Sequence, residues 1–157
     1  MTKQTLADLV TAHPLLAGLP GDVVERVAGC ARNVSFHTGA LLLAEGDPAD
    51  TFYLVRRGRV AVEVHSPNLG PIVVETLSAG ATVGWSWLVP PYRWQFDVRA
   101  IEPVGAVAVD GACLRDKAET DPALGYMLMK RVAAVLLQRL QMTRMRLLDL
   151  YGAVDDR

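Results

Sequence analysis

Between Asn33 and Asp110 the chain breaks into short β-branched or alternating runs: Val34 to His37, Leu41 to Ala44, Phe52 to Val55, Val60 to His65, Ile72 to Thr76, Phe96 to Ala100 and Val104 to Val109. Many short strands at near-regular spacing, with turn residues between them, restrict the fold to a sandwich or a barrel. Val60, Val62 and Val64 alternate with Ala61, Glu63 and His65, the pattern of a strand with one buried and one wet face. Glu45-Gly46-Asp47-Pro48, Arg57-Gly58-Arg59 and Pro67-Asn68-Leu69-Gly70 supply Gly, Asn or Pro where the backbone must reverse.

Helical patterns flank this region. Over 2–32, Leu6, Leu9 and Val10 and then Val23, Val24 and Val27 recur at helical spacing on either side of a Pro/Gly break, which predicts two short helices. Residues 111–151 are expected to be helical, with one long helix starting at Asp121-Pro122, where Asp caps and Pro takes the first position, and stopping at Gly152. Along that helix Tyr126, Met129, Ala133, Leu136, Leu140, Thr143, Leu147 and Leu150 recur at spacings of three and four, a heptad seam. A second stripe, Leu128, Val132, Val135 and Met142, lies on a neighbouring face. A helix of about 30 residues reaches roughly 45 Å, more than a small barrel covers. One stripe is therefore expected on the roll and the other on a partner chain, giving a homodimer with Met129, Ala133, Leu136, Leu140, Thr143 and Leu147 at its interface.

The 157 residues suffice for one domain with its own core, so a single domain over 1–157 is expected. A formal charge of -1 offers no electrostatic reason for a nucleic acid or an anionic membrane as partner. No apolar run approaches a membrane span and the first residues do not form a signal peptide, which predicts a cytoplasmic protein. The two cysteines, Cys30 and Cys113, have no metal-like or redox-like spacing and are expected as buried thiols in a reducing compartment. His13, His37 and His65 lie far apart, so no metal site is expected. Ser86 lacks both a glycine two residues on and an evident base, so no catalytic residue is expected.

The segment Gly39-Ala40-Leu41-Leu42-Leu43-Ala44-Glu45-Gly46-Asp47-Pro48-Ala49-Asp50-Thr51-Phe52-Tyr53-Leu54-Val55-Arg56-Arg57-Gly58-Arg59-Val60 resembles the opening half of a cyclic-nucleotide-binding domain. His13 to Leu19 resembles the helical lead-in of the catabolite-activator and fumarate-nitrate-regulator superfamily. Leu77 to Gly84 resembles the approach to its phosphate-binding cassette, and Asp97-Val98-Arg99-Ala100 the strand leaving it. The resemblance implies a mainly β fold with flanking helices: a double-stranded β-helix, or jelly-roll, between N-terminal helices and a long C-terminal helix. It implies a regulatory module, not an enzyme. Members that regulate transcription carry a winged helix-turn-helix after the long helix. The chain ends about six residues beyond Tyr151, so direct DNA binding is not expected.

Relatives that bind cyclic AMP or cyclic GMP place a glutamate after the cassette glycine, for the ribose hydroxyl, and an arginine followed by a small hydroxyl residue, for the phosphate. A buried phosphate needs a paired cation and several donors. Here Trp85 follows Gly84, and Arg93 matches the arginine only if the loop is one residue shorter, with Trp94 then in the hydroxyl position. All three tryptophans fall between Trp85 and Trp94. Two readings fit. In one, Val83, Gly84, Trp85, Ser86, Trp87, Arg93, Trp94 and Gln95 line a small-ligand site, for a cyclic nucleotide or for a flatter, more apolar molecule stacked on the indoles, and the long helix carries the signal. In the other, the indoles fill the pocket and the chain is a ligand-free dimeric module that docks on another protein. Neither requires a resident cofactor.

Overall fold

The computed structural model describes residues 5–155; positions 2–4 of the expected N-terminal helical region lie outside them. Two short helices open the chain, α1 (Leu6–Ala12) and α2 (Gly21–Ala28). Thr5 and Asp8 form a reciprocal capping box at the start of α1, which satisfies donors that the helix itself cannot. Eight strands follow: β1 (Ala31–Phe36), β2 (Leu41–Leu43), β3 (Thr51–Arg57), β4 (Val60–Ser66), β5 (Gly70–Leu77), β6 (Thr82–Val83), β7 (Asp97–Ala100) and β8 (Val104–Asp110). They form two four-stranded antiparallel sheets, β1-β8-β3-β6 and β2-β7-β4-β5.

This is the expected β-roll with its flanking helices. Phe52, Leu54, Val60, Val83, Val98, Val107 and Val109 are fully buried, with Phe52 and Leu54 facing the helices, and apolar surface removed from water there contributes roughly 25 cal/mol per Å². β1 begins at Ala31, before the expected Val34, because its register with β8 extends from Val109 to Val104. β6 was not expected as a strand. Its two residues pair with Tyr53 and Leu54 inside a stretch that reads as turn chemistry.

After the roll, α3 (Gly111–Thr120) is capped by the Asp110 carboxylate, which accepts from the Cys113 backbone N–H. The helix α4 (Pro122–Asp155) starts where the sequence predicts, with Asp121 Oδ1 accepting from Ala123 and Leu124. It does not stop at Gly152. That glycine keeps a helical backbone, and an interior glycine costs only about 1 kcal/mol relative to alanine, too little to end a helix without a left-handed cap.

The cysteines also depart from expectation. Cys30 and Cys113, 83 residues apart in sequence, are joined by a disulfide. The register of β1 on β8 brings the end of α2 beside the first turn of α3, a proximity that no sequence spacing announces. The argument from free thiols to a reducing compartment therefore falls. Among the described residues no helix is long and apolar enough to cross a membrane.

Candidate functional site

Strand β6 delivers the chain to Gly84, Trp85 and a single 3-10 turn, Ser86–Leu88, and the loop then returns through residues 89–96 to β7. Gly84 has φ +98°, a left-handed conformation that suits glycine, and a Cβ added there would stand 2.6 Å from the Trp94 ring. The Trp94 indole thus lies directly on the glycine backbone, against Leu43.

The return segment is held as a ribbon. The Trp94 N–H donates to the Asp47 carbonyl (3.0 Å), the Gly46 N–H donates to the Trp94 carbonyl (2.9 Å), and Pro48 bridges Arg93. Alternation along this ribbon decides which side chains face inward. Trp94 is 3 % exposed, whereas Arg93 and Gln95 on either side are exposed. Arg93 Nη1 donates to the Gly46 carbonyl at 3.2 Å and Gln95 Nε2 to the Arg93 carbonyl at 3.1 Å. The cation is turned to solvent, and the space over Gly84 holds hydrocarbon.

The other two indoles do different work. Trp87, 3 % exposed, stacks on Phe52 with centroids 4.5 Å apart and planes 7° from parallel. Its carbonyl accepts from Arg115 Nη1, and the Arg115 guanidinium lies 4.1 Å from the Tyr92 ring centroid. Trp85 is half-buried beneath Arg139 of α4, whose guanidinium is 5.5 Å from the ring and whose Nη2 donates to the Thr82 carbonyl. Burial pulls the Arg139 pKa below the ordinary arginine value, against the opposing charge of Glu75. Among the described residues neither the Trp85 nor the Trp87 indole N–H has a hydrogen-bond partner. Packing and ring stacking, not polar recognition, hold these side chains. Val83 is fully buried opposite Tyr53, and Ser86 opens the 3-10 turn, half-buried.

The sequence did not single out Arg115 and Arg139 as contacts of the cassette. Their partners lie 28 and 57 residues away; the basic character of the long helix was the one signal for Arg139, and α3, with as many acidic as basic residues, gave none for Arg115. The two stripes of α4 separate on its surface: Leu124, Leu128 and Val132 are buried on the roll, while Met129, Leu136, Leu140 and Leu147 are about half exposed. Ala133 and Thr143 are exposed on the same side. The buried stripe fades along the helix, since Val135 is half-buried and Met142 exposed.

His13 is buried and hydrogen-bonded on both ring nitrogens, and its geometry fixes its tautomer. Nδ1 accepts from the Leu15 N–H at 3.2 Å, so Nε2 carries the proton that points to the Ala81 carbonyl, 3.1 Å away. Burial lowers its pKa below the ordinary 6.5, opposed by the Ala81 contact. The folded protein therefore holds His13 neutral while the unfolded chain takes up a proton first. Its contribution is complete above about pH 6.5 and is lost as the pH falls from there toward the lowered folded value. Urea midpoints measured at about pH 7.5 and pH 5.5 should show a drop that His13→Gln reduces.

Among the described residues no group of three or more His, Cys, Asp or Glu is placed to hold a metal ion. His65 sits instead between carboxylates, 3.6 Å from Glu45 and 3.7 Å from Asp97.

Comparison with known proteins places this geometry in context. The family described as "Cyclic nucleotide-binding domain" matches residues 33–121. A protein from Geobacter metallireducens GS-15, whose crystal structure is described as that of a cyclic nucleotide-binding protein, superposes with a TM-score of 0.78 at 31 % identity, over 87 % of this chain and 99 % of that one. Two curated relatives are Acetyltransferase Pat of Mycolicibacterium smegmatis, 33 % identical over 66 % of this chain, and Glutaminase 1 of Bradyrhizobium diazoefficiens, 32 % identical over 82 %. The chain spans only 31 % and 20 % of their lengths. The match over more than half of the sequence and the shared β-roll agree: the chain belongs to the cyclic nucleotide-binding domain family.

Proposed function

We propose that this chain is a non-catalytic regulatory module that has given up cyclic-nucleotide binding and works as a single unit through protein contacts, as a homodimer joined along α4. The observation that supports this reading most is Trp94, buried against the left-handed Gly84 with the neighbouring Arg93 turned outward. A cyclic phosphate entering there would lose its hydration and meet an indole instead of a guanidinium, a desolvation cost with no compensating donor. The position after the glycine, which in nucleotide-binding relatives carries the ribose acceptor, holds Trp85, already engaged by Arg139. The half-exposed seam of Met129, Leu136, Leu140 and Leu147 gives α4 an apolar face of the kind that pairs with another helix. Sedimentation equilibrium tests the assembly: a dimer mass unaffected by cyclic AMP supports the module, whereas a monomer, or a mass that changes with nucleotide, contradicts it.

One observation favours a second reading, a sensor of a small apolar ligand. A cleft of about 250 Å³ opens between the 3-10 turn, α3 and α4, lined by Trp87, Leu114, Leu128, Met129 and Val132. A flat, uncharged molecule there would sit beside Trp87, and a change in tryptophan emission on titration with such compounds would support this alternative.

A further inference from the structure

The cysteine pair stands at one end of a lever whose other end is the aromatic cassette. Cys30 lies between α2 and β1, and Cys113 lies in the first turn of α3. On its other side α3 grips the cassette: Arg115 donates to the Trp87 carbonyl, and a Cβ added to Gly111 would stand 2.8 Å from the Trp87 Cβ. α3 thus spans from the disulfide to the indole that stacks on Phe52. Beyond the cysteines, α3 and the start of α4 meet α2 through the apolar core that Val27, Leu114 and Leu128 share and through two polar contacts, Lys117 Nζ to the Arg26 carbonyl (2.8 Å) and Arg26 to Asp121 (2.5 Å). The latter pair is well exposed and adds little. The disulfide adds to these contacts a covalent tie between the chain leaving α2 and the first turn of α3.

The bond can also be reached. An open cleft of about 390 Å³ borders it, formed by Gly29, Cys30, Arg32, Thr51, Asp110 and Cys113. Cys113 is half-buried and sits at a helix N-terminus, where the helix dipole favours a departing or attacking thiolate.

We propose that Cys30–Cys113 is a thiol–disulfide switch that sets the position of α3, and through it the cassette and the start of α4. A dithiol reductant supplies the electrons. Its thiolate attacks the Cys113 Sγ, and Cys30 leaves as a thiolate that takes a proton. The reductant's second thiol then resolves the mixed disulfide, releasing Cys113, so that the protein gains two electrons and two protons and the reductant becomes a disulfide. The oxidised form holds α3 against Trp87, and the reduced form frees it.

The test is native-state reduction with dithiothreitol, followed by thiol counting and hydrogen exchange. Both thiols should appear without denaturant. Amide protection in α3 and the 3-10 turn should fall about tenfold or more, while β3 and β8 keep theirs, and reoxidation should restore it. Cys113→Ser should exchange like the reduced protein and ignore dithiothreitol. If that variant does not fold, reduction of the native protein still decides. A bond that resists reduction until the protein unfolds would overturn the switch, as would a bond that opens with no change in α3. Loss of protection throughout the roll together with α3 would instead identify a global staple and overturn it too.

Discussion

Trp94→Ala is expected to destabilise the protein by about 3–5 kcal/mol, the loss that accompanies deletion of a large buried aromatic side chain. The ring is 3 % exposed and packed on Gly84 and Leu43, so truncation both removes transfer free energy and leaves a cavity walled by strands that cannot collapse inward. Urea unfolding should show a lower midpoint with an unchanged m-value. If Trp94 instead lined a solvent-filled ligand pocket, its removal would open existing space wider and cost less than about 1 kcal/mol. That outcome would remove the filled-cradle account.

Leu136→Lys combined with Leu140→Lys is expected to convert the proposed dimer to a monomer. Both side chains are about half exposed on the face of α4 turned away from the roll, so a charge there costs the isolated chain little, within about 0.5 kcal/mol. Buried in a helix pair, the same ammonium groups would be desolvated without partners, which the seam cannot tolerate. Sedimentation should therefore show halved mass with the roll's urea midpoint nearly unchanged. A dimer that survives the double substitution would place the interface elsewhere.

The roll was legible because its short β-branched runs each end in turn chemistry; the alternation of Val60 to His65 marked a strand but misplaced its faces, since Ala61 and Glu63 are buried between neighbouring strands while Val64, near the open end, is 42 % exposed. β6 was not legible, since two residues between Ala81 and Gly84 cannot show a period. The cassette was half legible. The clustering of Trp85, Trp87 and Trp94 announced an unusual site, but counting along the loop could not say whether Arg93 or Trp94 faces inward. That is fixed by the hydrogen bonds of Trp94 to Gly46 and Asp47, which set the phase of the ribbon. The contacts of Arg139 with Thr82, of His13 with Ala81 and of Cys30 with Cys113 span 57, 68 and 83 residues, distances at which one sequence holds no record of proximity.

The central claim is that the chain's own indole occupies the space in which relatives hold a nucleotide. Calorimetric titration of the native, oxidised protein with cyclic AMP and cyclic GMP, paired with thermal melts, tests it most directly. A nucleotide present at about a hundredfold excess over its Kd would raise stability by about 2.7 kcal/mol, a shift that no melt would miss. The account predicts no binding heat and an unmoved Tm for both nucleotides. Saturable binding with a raised Tm, abolished by Arg93→Ala, would contradict it.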